Sequence, residues 1–261
     1  MSIIPHENTN PRQWRPRTRN HNWRARRGGR CRQCTAEPPR PLGTPPREGN
    51  LGAVFLKKGN TMLNHTFTGN IKSDVRSLLY ISDKAKTFDH SQQVAKMNAK
   101  IAKQYGLDQD ICEISGYLHD ISAVISPSHM MEYAIQNNWE IDEAEHKYPM
   151  LLHQRISQVI AKEDFGVTDP RILSAVGHHT TLKANPSAYD MALFVADKLA
   201  WDQDGTPPFY TNVSNALEQS LELASLVYMR YMMENNMILH PHRWWKDGLA
   251  WFEKNMVMKN D

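Results

Sequence analysis

The chain has 261 residues and a formal net charge of +3, with 40% hydrophobic and 23% charged residues, which suits a globular protein with a real core. Its strongest apolar stretches, such as residues 192–196, are far short of the ~20 residues a membrane helix needs. The opening residues lack the basic start and apolar run of a secretory signal. The only cysteines are Cys31, Cys34 and Cys112, too few for a disulfide scaffold, so a reducing cytoplasm is expected.

Charge is unevenly spread. Residues 1–61 carry 13 Lys and Arg against 3 Asp and Glu, a net of +10, and residues 62–261 net −7. The basic segment is rich in Arg, Pro and Gly, has no helical or strand period and predicts a disordered tail. Three readings of it stand. Arg with interleaved Trp14 and Trp23 suits a nucleic-acid-binding arm. Cys31 and Cys34 form a lone CxxC, which supplies only two of the four ligands of a zinc knuckle. The third and favoured reading is a mis-assigned start. Lys57-Lys58-Gly59 back-translates to a purine-rich stretch two codons before Met62, like a bacterial ribosome-binding site, so a native start at Met62 is expected.

From about Ile71 apolar residues recur at helical spacing, and no alternating strand or internal repeat is found. Asp83 to Tyr105 reads as a long helix stopped by Gly106. Asp108 caps a second that runs to Ile121 and ends before Pro127. Pro127 to Asn137 and Met150 to Asp164 follow. Asp169-Pro170 opens a helix to about His178, and Ala188 to Trp201 comes next. Asn212 to Asn235 reads as one long helix, and a short Trp-rich helix closes the chain. The prediction is an all-α fold, a compact bundle over about residues 70–261.

The histidines then become informative. His90 shares a buried stripe with Val94, Met97 and Ile101. His119 and Asp120 lie between Leu118 and Ile121. His153 is three residues before Ile156, and His179 is four after Ala175. Asp197 follows the apolar run Leu193-Phe194-Val195-Ala196, where a carboxylate needs a partner or a metal. Any one of these alone reads as a hydrogen-bonded core residue. As a set, four His and two Asp on inward faces of five successive helices point to a metal site, and their chemistry suits iron, manganese or zinc.

His90, His119-Asp120 and Asp197 resemble the H…HD…D signature of HD-domain phosphohydrolases, and His153 and His179 resemble the added histidines of the two-metal subset. Asp89-His90-Ser91, residues 115–122, residues 175–181 and residues 193–198 are similar to the YqeK family of bacterial iron-dependent symmetrical diadenosine-tetraphosphate hydrolases. The resemblance covers about residues 83–205. It implies an HD core at 70–205 and leaves 206–261 as a helical extension packed on it. It also implies two divalent metal ions, iron or else manganese. Asp120 would bridge them, His90, His119 and Asp197 would complete one site, and His153 and His179 the other. Asp120 and His119 would be the catalytic pair, and water activated between the metals would attack phosphorus in line.

The family usually continues HTxG with an Arg close behind, whereas Thr180-Thr181 is followed here by Leu182-Lys183. The segment Leu199 to Pro208 also departs from the family pattern. The nucleotide therefore stays open between diadenosine tetraphosphate and another nucleotide or phosphate ester. A non-catalytic nucleotide-sensing module is the rival from a different class. Arg155, Lys183 and Lys198 lie near the ligands in sequence and are candidate phosphate contacts, with solvated surface residues as the plainer reading. The expected partner is a nucleotide, in the family a dinucleoside polyphosphate, and neither a membrane nor a nucleic acid is expected. The Met and Tyr stripe of Leu226 to Met237 reads as core or as a homodimer face. His240-Pro241-His242-Arg243-Trp244-Trp245 reads as packing and capping rather than a second metal site.

Overall fold

The computed structural model describes residue 63 and residues 65–201 and 205–257. The readings of the basic tail, including Trp14, Trp23, Cys31, Cys34 and a start at Met62, lie outside them. The described residues fall within one compact unit, Glu48–Asp261. They are all-α, with no strand among them.

The helices begin where local chemistry satisfies their first N–H groups. Asn70 caps α1 (Ile71–Ile81) by accepting from the Ser73 N–H. α2 (Ala85–Tyr105) starts two residues later than the sequence suggests, because Asp83 holds a left-handed φ of 58° and breaks the chain there. Gly106 ends α2 in the left-handed conformation, with φ 66°. Asp108 caps α3 (Gln109–Leu118), which stops before His119 and gives way to a 3-10 turn at Ile121–Val124. Ser126 caps α4 (Pro127–Gln136). A capping box between Asp142 and Glu145 opens the short α5 (Glu143–Lys147), which the apolar pattern does not reveal. A second 3-10 turn, Pro149–Leu152, leads into α6 (His153–Glu163). Asp169 caps α7 (Pro170–His178), and a Ser187–Asp190 capping box opens α8 (Ala188–Leu199).

The long helix expected over Asn212 to Asn235 is two helices, α9 (Tyr210–Leu217) and α10 (Leu221–Glu234). Ser220 separates them. Its backbone is extended, and its hydroxyl caps α10 by accepting from the Leu223 N–H. The closing Trp-rich helix, α11 (Arg243–Val257), is 15 residues long rather than short.

α2 packs on α3 and α8, α7 on α3, α6 and α8, and α10 on α8, α9 and α11. Val94, Leu118, Ile156, Ile160, Val176, Leu193 and Phe194 are fully buried between these helices. Each such side chain contributes ~1.5–3 kcal/mol through burial. The closest approach is at Gly116 of α3, where a Cβ would stand 2.4 Å from the Ala95 Cα of α2. Cys112 is buried on α3, as its apolar neighbours in sequence suggest.

Two outcomes follow from this packing. Gly116→Ala forces α2 and α3 apart and is expected to destabilise the fold by about 3 kcal/mol, read from denaturant midpoints. Burial, with Asp108 nearby, pushes the Cys112 thiol up to about 12. The Cys112 peptide is therefore expected to stay unalkylated by iodoacetamide at neutral pH in the native protein and to be labelled in urea, read by mass spectrometry.

Candidate metal centre

The six sequence-selected ligands converge. Only His90 on α2 and Asp197 on α8 project from helix interiors. His119 and Asp120 follow the end of α3, His153 is the first residue of α6, and His179 follows the end of α7. The expectation of five inward helix faces is thus corrected: most of the cluster is assembled from helix ends, where the backbone has spare carbonyls to orient a side chain.

Those carbonyls are used. His119 Nδ1 bonds to Gly116 O at 2.8 Å, His153 Nδ1 to Met150 O at 2.6 Å, and His179 Nδ1 to Val176 O at 2.8 Å. A carbonyl only accepts, so each Nδ1 carries the proton and each Nε2 offers a lone pair inward. The same arrangement orients histidine ligands in metal sites.

Two groups of inward atoms result. His90, His119 and Asp120 place ligand atoms within 4.8 Å of one another, and so do Asp120, His153 and His179. Asp120 belongs to both through different oxygens. Its Oδ2 lies 3.5 Å from His119 Nε2, and its Oδ1 lies 3.5 Å from His153 Nε2 and 3.4 Å from His179 Nε2. Asp197 Oδ1 adds to the first group, 3.1 Å from His90 Nε2 and 3.7 Å from His119 Nε2.

Two observations fit divalent cations at this place. His119 Nε2 is fully buried and has no hydrogen-bond partner among the described residues. His153 Nε2 and His179 Nε2 face each other at 3.0 Å. With both Nδ1 atoms donating to carbonyls, that contact opposes two lone pairs and needs positive charge between or beside them. Imidazole and carboxylate together suit iron, manganese or zinc.

The electrostatics agree. Burial would raise the Asp120 carboxyl, but His119, His179 and His153 outweigh it and hold Asp120 well below the usual carboxylate range. Burial lowers His179 to about 4 despite the facing Asp120, so its imidazole is neutral at neutral pH. Asp197 is likewise held low against burial by Lys198 and His90. Asp197 raises Lys198 against the opposing effect of burial.

Residues that the sequence does not single out hold the ligands in place. Ser122 donates to His153 O at 2.9 Å and is bonded to the Ser157 hydroxyl at 2.9 Å, tying the turn after Asp120 to α6. The buried Gln154 accepts from the N–H groups of Thr180 and Thr181, tying α6 to the segment after His179. No charge or periodicity marks Ser122, Gln154 or Ser157 in the sequence.

The three candidate phosphate contacts fare differently. Lys198 pairs with Asp197 and borders a cavity of about 480 Å³ that reaches His90, Asp120 and Asp197. Trp201, Phe209, Tyr228 and Tyr231 form its aromatic wall. Lys183 donates to the Ser174 hydroxyl at 2.6 Å and lies 3.5 Å from Asp190. Arg155 is committed elsewhere. Its guanidinium pairs with the fully buried Glu145 at 3.0 Å and lies over the Trp139 ring at 4.2 Å. The phosphate role read for Arg155 is therefore replaced by one of neutralising Glu145. The neighbouring His178 bonds Ser174 O through Nδ1 and packs on Trp244, so His179 alone of the two joins the cluster.

This cluster is what the comparisons with known proteins bear on. The family model of the HD domain matches residues 87–202, which contain all six residues. An uncharacterized protein in the pepC 5' region of Lactococcus lactis subsp. cremoris is 35% identical over 129 residues, 49% of this chain and 66% of the relative. A Staphylococcus aureus protein named bis(5'-nucleosyl)-tetraphosphatase, symmetrical, is 28% identical over 113 residues, 43% of this chain and 57% of the relative. The chain thus spans less than two thirds of either relative's length. A Clostridium acetobutylicum crystal structure, described as a predicted HD superfamily hydrolase involved in NAD metabolism, shares the fold. Its TM-score is 0.62 at 19% identity, over 70% of this chain and 96% of that one. No described helix is long and apolar enough to cross a membrane.

Removing one partner of a buried ion pair leaves an uncompensated charge. Arg155→Met is expected to cost about 3 kcal/mol in urea unfolding. Removing Glu145 as well, in the Arg155→Met, Glu145→Met double variant, is expected to recover part of that loss, the remainder being the capping box that Glu145 completes at α5.

Proposed function

We propose that this HD domain is a metal-dependent hydrolase of nucleotide phosphoanhydride bonds, and that it cleaves diadenosine tetraphosphate symmetrically to two ADP. The observation that carries the reading is Asp120, whose two oxygens face two separate groups of inward nitrogens. The names of the curated relatives support the substrate class.

In this reading His90, His119, Asp120 and Asp197 hold one divalent ion, iron or manganese, and Asp120, His153 and His179 hold the second. When bound, such ions lower the pKa of water toward neutrality and offset the charge that builds on phosphoryl oxygens. The chain's own residues do the rest. The three Nδ1–carbonyl bonds keep the Nε2 lone pairs turned inward, so no reorganisation is needed when the site fills. Asp120 and His119 touch the reacting centre. Lys198 is held at the cavity edge by Asp197 and meets the polyphosphate with a positive charge that burial does not remove. The cavity of about 480 Å³ is large enough for a nucleotide, and its aromatic wall suits a base.

One observation favours a second reading, hydrolysis of a different nucleotide. Ala200, Trp201, Pro207 and Pro208 line the cavity and fall in the segment where this sequence departs from the YqeK pattern.

The test uses the full chain, purified without chelator and loaded with ferrous iron or manganese. With diadenosine tetraphosphate the expected products are two ADP and no ATP, resolved by chromatography. ATP with AMP would refute the symmetrical cut while keeping the substrate, and no turnover by a protein that holds two metal ions would move the substrate elsewhere. Asp120→Ala is expected to lose metal at both positions and to lower turnover by more than about 100-fold.

A further inference from the structure

Tyr228 of α10 lines the cavity of about 480 Å³ together with His90, Asp120, Asp197 and Lys198, the charged and ligating residues at its inner end. It lies outside residues 87–202, the stretch that the HD family model matches. Its ring is wedged edge-on between Phe194 at 5.5 Å, Phe209 at 5.0 Å and Trp245 at 6.2 Å, and the residue is 8% exposed. Tyrosine has only two side-chain torsions, so a ring held on three sides fixes the position of its hydroxyl.

A buried tyrosine hydroxyl usually finds a hydrogen-bond partner, and phenylalanine fills the same space without needing one. The Tyr228 hydroxyl makes no hydrogen bond among the described residues, yet it is not sealed as the indole nitrogens of Trp201 and Trp245 are. The little exposure that the residue keeps therefore includes its polar tip, and the cavity is what that tip meets.

The carboxylate nearby is already committed. Asp197 Oδ1 lies 3.1 Å from His90 Nε2, and Oδ2 pairs with Lys198. Lys198 Nζ lies over the Tyr228 ring, 5.9 Å from its centre. Burial raises the pKa of the hydroxyl, Lys198 opposes that and Asp197 adds to it, so the net direction is upward. Tyr228 thus presents a neutral O–H at neutral pH, beside a cation and without an acceptor among the described residues. A phosphate chain supplies what is missing. An anionic phosphoryl oxygen accepts from a hydroxyl more strongly than a neutral group does.

We infer that Tyr228 contacts the substrate, and that its hydroxyl donates to a phosphoryl oxygen of the chain held beside Lys198. This rests on the proposed hydrolysis of a phosphoanhydride and adds to it a residue from α10. Lys198 supplies charge, and Tyr228 supplies a donor at one fixed point. The pair therefore sets where the phosphate chain lies as well as how strongly it is held.

The test uses the full-length, manganese-loaded protein and Tyr228→Phe, which keeps the ring and its packing and removes the hydroxyl. The variant is expected to lower kcat/KM for diadenosine tetraphosphate by about 10-fold or more, the worth of one hydrogen bond to a charged group. Metal content and melting temperature are expected to stay as in the parent. Calorimetry locates the contact: ADP is expected to bind the variant about 10-fold more weakly than the parent, and adenosine to bind both alike. Unchanged affinity for ADP would overturn the contact. Equal losses for ADP and adenosine would overturn it too, because the hydroxyl would then serve the nucleoside. If the parent does not hydrolyse diadenosine tetraphosphate, the proposed function fails, and the comparison of ADP with adenosine alone decides the role of Tyr228. A parent chain that binds ADP no more tightly than adenosine would then overturn it.

Discussion

Two imidazole nitrogens 3.0 Å apart, each with its proton committed to a backbone carbonyl on the far side of the ring, repel one another unless positive charge is supplied. His153 and His179 are held in that relation by α6 and α7, and the buried Gln154 fixes the two helices' junction. The rest of the centre adds to the same demand for positive charge. Asp120 turns one oxygen to this pair and the other to His119, so a single carboxylate answers both clusters. The Gly116 approach that brings α3 against α2 also presents the carbonyl that orients His119. Packing and ligand orientation are therefore the same contacts, and damage to one is damage to the other.

Much of this was legible in the residues. The helical period placed α2, α3, α6, α7 and α8 to within a few positions, because caps such as Asp108, Asp169 and Gly106 mark their ends chemically. The six inward His and Asp stood out because each interrupts an apolar face. Other features were hidden for physical reasons. Ser220 divides α9 from α10 by a backbone excursion that apolar spacing does not register. α5 is too short for a period and is held by its capping box. The commitment of Arg155 was hidden because its partner Glu145 is ten residues away and is buried only in the folded chain. Ser122, Ser157 and Gln154 carry no charge, and nothing in the pattern distinguishes them from solvated residues.

The C-terminal segment gains meaning from its contacts. His240 to Trp245 does not assemble a metal site. His242 is buried, lies 3.6 Å from Glu145 and accepts from the Trp244 N–H. Arg243 pairs with Glu140 and donates its backbone N–H to Asp142. These bonds fasten the start of α11 to the region of α5, while Tyr228 and Trp245 fill in around Phe194 of α8. The Met and Tyr stripe, read as core or dimer face, is buried only in part. Leu226, Tyr228 and Met229 are core, whereas Met237 is largely exposed.

Leu182 stands where the YqeK pattern has glycine, and its φ of 56° is the left-handed conformation that glycine adopts without cost. A leucine there spends ~1–2 kcal/mol of backbone energy, yet its side chain is wholly buried and returns a comparable sum. Position 182 is thus a local bargain between backbone and core, struck three residues from His179. Glycine would relax the turn and hollow the interior beneath it, and a bulkier residue would keep the strain and crowd the space. The departure from the HTxG pattern at 182 is then not a free choice: it commits the neighbouring core, and with it the stiffness of the loop that presents His179, to a different compromise.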